Sequence, residues 1–355
     1  FVLLPPFILY KYIFILFKTF LYKLYKMSKG FTNLGNTCYM NAALQCLCHL
    51  PQLNLDCNDF IKDIKKSSSK SDISVMKQLL NLQHAVWEEE NKVVSTKGVL
   101  QSFIKQCSKN NVYFESFQQN DTNDFLNTYM DFLHESIKRV VNISITGTPK
   151  NNYDKLKLKS IETWRNFFEN SYSYIIVKFY SQLLTLTTCP ECGYYTSNHE
   201  PIMSITLTLK DNYTSIYDCL NEFTDKETLD IENKWTCDKC KCKVQPKKEI
   251  KFWNLSDVLI FSIKTFRVNK KIEKHIDFPE ELNMNDYCIN NGNLLYTLSG
   301  ICIHGGGLHG GHYYAMCKDY KQKKWRVHND THVTNTTLEN VLSQSPYCLF
   351  YIKKD

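Results

Sequence analysis

Two Cys-x-x-Cys pairs, Cys189/Cys192 and Cys237/Cys240, stand 44 residues apart, and no other pattern in the chain restricts its folding as tightly. Four thiolates on two such knuckles are the ligand set of a closed tetrahedral zinc site that pins strand tips together. A closed site has no position for water, so its role is structural. Cys242 and His199 are close enough to replace a ligand, and four unmetallated thiols are the plain alternative. The full count is 15 cysteines in 355 residues. An odd count in a long chain, with no stretch that reads as a secretory signal, points to intracellular thiols in the cytoplasm or nucleus rather than a disulfide framework.

Hydrophobic residues make up 43% and charged residues 22%, which excludes a disordered tail or a fibre. The formal charge is +7, from 43 Lys plus Arg against 36 Asp plus Glu. Residues 1–26 carry Lys11, Lys18, Lys23 and Lys26 and no acid, so the rest of the chain holds 39 − 36 = +3. This apolar, basic lead is expected to be upstream sequence translated in frame, outside the folded domain, with the working protein starting at Met27. A membrane anchor is the competing reading, but Lys11 and Lys18 break the apolar run short of the ~20 residues a spanning helix needs. A signal peptide fits poorly, because no basic segment precedes the run. Contact with a membrane is expected only if the lead is real.

From Gly30 to Val141 the pattern is helical. Met40, Ala43, Leu44, Leu47 and Leu50 share one face, and Phe125, Leu126, Tyr129, Met130, Leu133, Ile137 and Val140 share another. Residues 142–160 are polar with Gly and Pro and read as a loop or insertion. From Tyr174 onward strands dominate: 204–209, 257–266, 294–304, 313–317 and 348–352. Helices first and strands afterwards indicate an α+β fold.

The chemistry begins at GFTNLGNTCYMNAALQCL, residues 30–47, where a turn rich in Gly and Asn runs into a helix with Cys38 in its first turn. Asn36 or Thr37 is placed to cap that helix. The positive end of the helix dipole is expected to lower the Cys38 pKa and favour the thiolate. Cys46 and Cys48, deeper in the helix, read as core. A nucleophilic thiol needs a base, and the base an orienting partner. Near the other end, GGGLHGGHYYAMC places His312 at a strand start, and KWRVHND ends the next strand. In such a hairpin Asn329 returns beside His312 and can accept a hydrogen bond from one ring nitrogen, leaving the other for the thiol. This is a Cys-His-Asn arrangement of papain-like type. His304 and His309 lie nearby and are weaker candidates for the base.

Here the residues resemble a family. GFTNLGNTCYMNAALQ is similar to the cysteine box of the ubiquitin-specific proteases, and YTLSGICIHGGGLHGGHYYAMC, with WRVHND and CLFY after it, to their histidine box. The resemblance implies Cys38 as nucleophile, His312 as general base and then acid, Asn329 as third member and Asn33 as oxyanion-hole side chain, with Asp330 in support. QNDTNDFLNTYMDFLHE, residues 119–135, resembles the segment lining the groove for ubiquitin's basic tail. Asp121 and Asp124 match its acidic positions; standing three apart before an apolar run, they also read as a helix cap. Gly311 and Tyr313, on either side of His312, fall among the substrate-binding positions. Asn120, Asn123 and Asp124 depart from the usual Gln, Gln or His, and Glu there; Ser181 and Thr265 replace a usual Gly and a usual basic residue.

The family fold so implied is papain-like, with a helical thumb (about 30–175), zinc-bearing β fingers (about 176–255) and a β-rich palm (about 256–355). The implied activity is hydrolysis of the (iso)peptide bond after the terminal glycine of ubiquitin, without an organic cofactor, by a monomeric catalytic domain. The implied partners are ubiquitin and ubiquitinated proteins. A protease for a ubiquitin-like modifier and a catalytically weak ubiquitin-binding scaffold are the alternatives. A nucleic-acid-binding zinc protein is disfavoured, because the knuckles lack a basic recognition helix and the lysines are scattered.

Overall fold

The computed structural model describes residues 29–66, 72–89, 93–114, 118–267, 270–272, 274–290, 292–307 and 310–354. The 1–26 lead, Met27, the polar stretch at 67–71 and His309 lie outside the described residues. Strand β1 (Gly30–Phe31) leads into helices α1 (Cys38–Cys48), α2 (Asn58–Lys66) and α3 (Ser74–Trp87). Strand β2 (Val93–Val94) precedes α4 (Lys97–Lys109), α5 (Thr122–Ile137), α6 (Asn152–Phe168) and α7 (Tyr174–Phe179). Then come β3 (Ser181–Thr188), β4 (Tyr195–Ile202), β5 (Ser204–Thr208), α8 (Ile216–Thr224), β6 (Lys226–Thr228), β7 (Trp235–Thr236), β8 (Lys243–Val244), β9 (Lys247–Asn254) and β10 (Val258–Lys264). Short β11 (Phe266–Arg267), β12 (Lys270–Lys271) and β13 (Glu281–Asn283) follow. The chain continues with β14 (Leu295–Gly307), β15 (Gly310–Lys318), β16 (Trp325–Asn329), β17 (His332–Thr336), α9 (Leu338–Leu342) and β18 (Cys348–Lys353). The fold is α+β.

The main sheet runs β17-β16-β15-β14-β18-β10-β5, with β13 beside β14 and only β5 parallel to its neighbour. Side chains alternate across it, as the period of two requires. Cys302, Ala315, Cys317 and Phe350 face α1 and the first helices, while Ile301, Met316 and Leu349 face α8 in a second core. A second sheet, β4-β3-β9-β6, extends away from this body to a tip formed by β7 and β8.

Helix α1 is buried on every side: all eleven residues are inaccessible, including Asn41 and Gln45. The one apolar face expected from spacing faces only half of its surroundings, because α5 covers one side and β15 and β14 the other. The expected loop at 142–160 holds for 142–151, while 152–160 is the first half of helix α6, capped by Asn151, whose Oδ1 accepts from Asp154 N at 2.8 Å. Its residues are polar because only Ser160 and Phe168 are buried. Among the described residues no helix is long and apolar enough to cross a membrane.

His199 on β4 is 2% exposed, packs edge-on to Trp253 at 5.1 Å and, among the described residues, has no hydrogen bond at either ring nitrogen. Burial first, and Lys159 second, depress its pKa from 6.5 to about 4. An imidazole depressed in the folded state takes up its proton mainly when the chain unfolds. Its stabilising contribution is therefore complete above the unfolded pKa and is lost as pH falls from 6.5 towards 4. Urea titrations at pH 7 and 4.5 should show the wild type losing about 2 kcal/mol more than His199→Phe. Equal losses would rule out His199 as a source of acid lability.

Candidate active site

The first turn of α1 and the start of β15 meet at Cys38. The thiol is 3% exposed and accepts backbone hydrogen bonds from Tyr313, the residue after His312, and from Tyr39 and Cys38 in its own helix. The helix N-terminus thus reaches the sulfur as expected, yet burial outweighs it and, with the charge of Asp330, raises the thiol pKa. The expected lowering is not found in the free chain. Thr37 is the N-cap by position without a side-chain cap bond; its hydroxyl instead accepts from Leu34 N at 2.9 Å. Asn36 takes a left-handed conformation (φ 54°) in the turn before it.

His312 Nε2 lies 2.7 Å from Asn329 Oδ1. The hairpin register explains the approach: Ala315 pairs with His328, so the end of β16 returns beside the start of β15. With Nε2 as donor, Nδ1 is the ring nitrogen left for the thiol. Asp330 stands at 4.0 Å from the same Nε2. Its carboxylate is clamped by Asn33 Nδ2 at 2.9 Å and Asn41 Nδ2 at 2.8 Å, one amide on each oxygen. Asn33 Oδ1 in turn accepts from Gly35 N and Thr37 N at 3.1 and 3.2 Å, which ties the turn before Cys38 to the turn after Asn329. Phe31 N donates to the Asp330 carbonyl at 2.7 Å, and a Cβ on Gly30 would stand 2.3 Å from Thr331 O, so this crossing requires glycine.

The other site positions divide. Asp121 caps α5, its Oδ1 accepting from Asn123 N at 2.7 Å and Asp124 N at 3.2 Å, while the Tyr347 hydroxyl donates to Oδ2. Asp124 is exposed, and partial desolvation and the charge of Asp121 raise its pKa. Tyr313 is buried, its ring against His304 at 4.5 Å and Tyr347 at 5.4 Å, so its backbone rather than its ring faces Cys38. Gly311 exchanges two hydrogen bonds with the Gln119 amide, at 3.2 and 3.0 Å. A Cβ there would meet Gly305 O at 2.5 Å.

At the tip of the second sheet Cys189, Cys192, Cys237 and Cys240 bring their sulfurs within 4.8 Å of one another. Cys189 lies 3.8 Å from Cys240, and Cys192 lies 3.6 Å from Cys237. A tetrahedral ion with bonds of ~2.3 Å separates its sulfurs by about 3.8 Å, close to both of these distances, so the cluster can hold a metal. The two knuckles share a geometry: Gly193 N returns to Cys189 O and Lys241 N to Cys237 O, with both residues left-handed. Burial raises the Cys237 thiol, but backbone N–H groups of Cys240 and Lys239 and the neighbouring thiols bring it down to about 7. Cys242 is exposed and His199 is packed on Trp253, so neither belongs to the cluster.

A family model described as ubiquitin carboxyl-terminal hydrolase matches residues 29–351. The chain belongs to the ubiquitin carboxyl-terminal hydrolase family. It is similar to ubiquitin carboxyl-terminal hydrolase 2 of Bos taurus, 29% identical over 339 residues that cover 91% of this chain and 54% of the relative. Ubiquitin carboxyl-terminal hydrolase 21 of Homo sapiens is 27% identical over 354 residues, covering 91% and 61%. The chain spans little more than half the length of these curated relatives. Among solved structures, the SAGA Ubp8/Sgf11/Sus1/Sgf73 DUB module bound to ubiquitin aldehyde matches with a TM-score of 0.72 and 25% identity, over 93% of this chain and 70% of that one.

Two residues of this hydrolase-family site escaped the sequence reading. Asn41 joins Asp330 to Thr32 O and accepts from Thr96 Oγ1 at 3.2 Å, so it links three segments beneath the site. An asparagine three positions after Cys38, inside an apolar helix, is a buried polar group that must find partners. Gln119 opens the segment already likened to the tail groove, but its bonds to Gly311 were not foreseen there.

Proposed function

We propose that the chain is a thiol-dependent deubiquitinase that hydrolyses the bond after the C-terminal glycine of ubiquitin. The observation that carries this reading is the His312–Asn329 bond of 2.7 Å, set beside a Cys38 thiol that the Tyr313 backbone already touches. His312 Nδ1 takes the Cys38 proton as the sulfur attacks the glycine carbonyl. The same proton then passes to the departing amine as the C–N bond breaks, leaving a thioester. Water, deprotonated by His312, attacks that thioester and releases ubiquitin and the thiol.

Asn33 is held by Asp330 through one amide hydrogen, and its second hydrogen, with the Cys38 N–H, is assigned to the oxyanion. Asn329 keeps the His312 tautomer. Asp330 positions Asn33 and adds negative charge beside the imidazole. Asp124, whose pKa partial burial and the Asp121 charge raise, is assigned to an arginine of the substrate tail, which would restore its charge. Asp121, already a cap, contributes field rather than a hydrogen bond. Gly311 and Tyr313 line the same channel through their backbone. The four thiolates of the tip would hold Zn2+ in a structural role. On this reading α1 to α7 form the thumb, the second sheet the fingers and the main sheet the palm. The reduced thiols that this reading needs at Cys38 and at the tip suit the cytoplasm or nucleus.

The test is a ubiquitin carrying a C-terminal electrophile, offered to the full chain beside ubiquitin-like modifiers with the same group. A mass increase of one ubiquitin, mapped to Cys38 and absent from Cys38→Ala, is expected. Labelling by another modifier alone would replace ubiquitin as the substrate, and no labelling by any of them would overturn the hydrolase reading.

A further inference from the structure

At the far end of α1 from Cys38, a second group of ligating side chains is buried where the proposed reaction has no use for it. His49 is the C-cap residue of α1, Cys317 lies on β15 and His328 on β16, and their exposures are 0%, 0% and 2%. One ligand atom from each lies within 4.8 Å of the other two, and the two imidazole rings are 4.8 Å apart at 60°. His49 Nδ1 lies 2.7 Å from Gln45 O, a bond that makes Nδ1 the protonated nitrogen and leaves Nε2 with its lone pair. That is how a metal-binding histidine is usually oriented, its second nitrogen donating to a backbone carbonyl. Among the described residues the buried His49 Nε2 has no hydrogen-bond partner, and the His328 ring has only a weak approach to the Lys29 backbone, too poorly aligned to count as a full bond. Buried polar atoms in this state are completed by an ordered water or an ion, and two imidazoles beside a thiol suit an ion.

We propose that His49, Cys317 and His328 bind one monovalent copper ion in a trigonal site. Bonds of ~2.1 Å place three ligand atoms about 3.6 Å apart, which small ring rotations reach from the present spacing. Thiolate with imidazole is a donor set that suits copper, and thiolate selects its monovalent form. Charge decides against zinc. Arg326 and Asp319 form a buried ion pair beside the site, 2.7 Å apart, and neutralise each other. One thiolate and one Cu+ add nothing to that balance, whereas Zn2+ would leave a net positive charge buried near the Arg326 guanidinium. Burial keeps both imidazoles neutral, with the His49 pKa lowered to about 4 and His328 lower still than its ordinary value, so both are ready to donate lone pairs. The end of a helix also favours a cation. On binding, the Cys317 S–H bond breaks, its proton goes to solvent and a copper–sulfur bond forms; the copper stays monovalent and no oxidant or reductant is consumed.

The test uses the full zinc-loaded chain and the variants His328→Phe and His49→Asn, each titrated anaerobically with Cu+ held by a chromophoric competing chelator. The wild type should retain one equivalent of copper with zinc still bound, and each variant less than a tenth of that. Copper should raise the wild-type melting midpoint and leave both variants unmoved. X-ray absorption of the wild-type complex, which does not depend on the variants folding, should show nitrogen and sulfur together around copper. Equal copper in all three chains, sulfur-only ligation with zinc released, or a second zinc in place of copper would each overturn the assignment.

Discussion

Replacing Cys38 with alanine is expected to lower kcat/KM on a ubiquitin C-terminal fluorogenic amide by at least about 10⁴-fold. His312→Ala should fall to the same level, and the double variant no further. In the proposed mechanism the two groups act on one proton and one carbonyl, so the loss of either ends covalent catalysis, and what survives is substrate binding and the oxyanion donors. Asn329→Ala should lose less, about 10²-fold, because the Asp330 carboxylate remains 4.0 Å from His312 Nε2, held there by Asn33 and Asn41. Initial rates at substrate well below KM report these ratios directly. Losses that multiply in the double variant would show that Cys38 and His312 do not work in the same step.

Stripping the zinc proposed for the four-cysteine tip should produce the second large effect, and a local one. The sulfurs sit in a small core of their own, Cys189, Cys237 and Val244 with Tyr194 and Trp235 against it, separate from the two cores of the main body. Such a cluster buries too little apolar surface to order the tip unaided, so ligand bonds supply the difference, with structural zinc worth ~10–16 kcal/mol in isolated peptides. Chelation, or Cys237→Ser, should therefore melt β7 and β8 while the sheets below persist. Trp235, stacked on Tyr194 at 6.2 Å, is a built-in reporter whose emission should shift to the red. Proteolysis should open between Thr228 and Lys247, and KM for the ubiquitin substrate should rise more than kcat falls. An unmoved Trp235 spectrum after complete metal removal would show that the knuckles stand without an ion.

The parts of this molecule that could be read from sequence are those whose partners are near in the chain or whose spacing is chemically restrictive. The knuckles, the turn before Cys38 and the hairpin from His312 to Asn329 are of this kind. Helix α6 was missed because its polar face is nearly its whole surface, although Asn151 marked its start. The Cys38 pKa was misjudged because a dipole can be seen in a sequence, whereas burial by β15 cannot. Asn41 and Gln119 find their partners 289 and 192 residues away, at Asp330 and Gly311, and only the fold brings those pairs together.

The position of β18 sets a rule for how the protein is made. Residues 348–353 form neither an edge nor an appendage; they lie between β14 and β10 and hydrogen-bond to both. Until they emerge from the ribosome, the hairpin bearing His312 and the strand pair β5 and β10 are two unjoined pieces of the main sheet. The sheet that carries His312 is thus closed by a strand made more than thirty residues after His312 itself, and any truncation before Cys348 should split it in two.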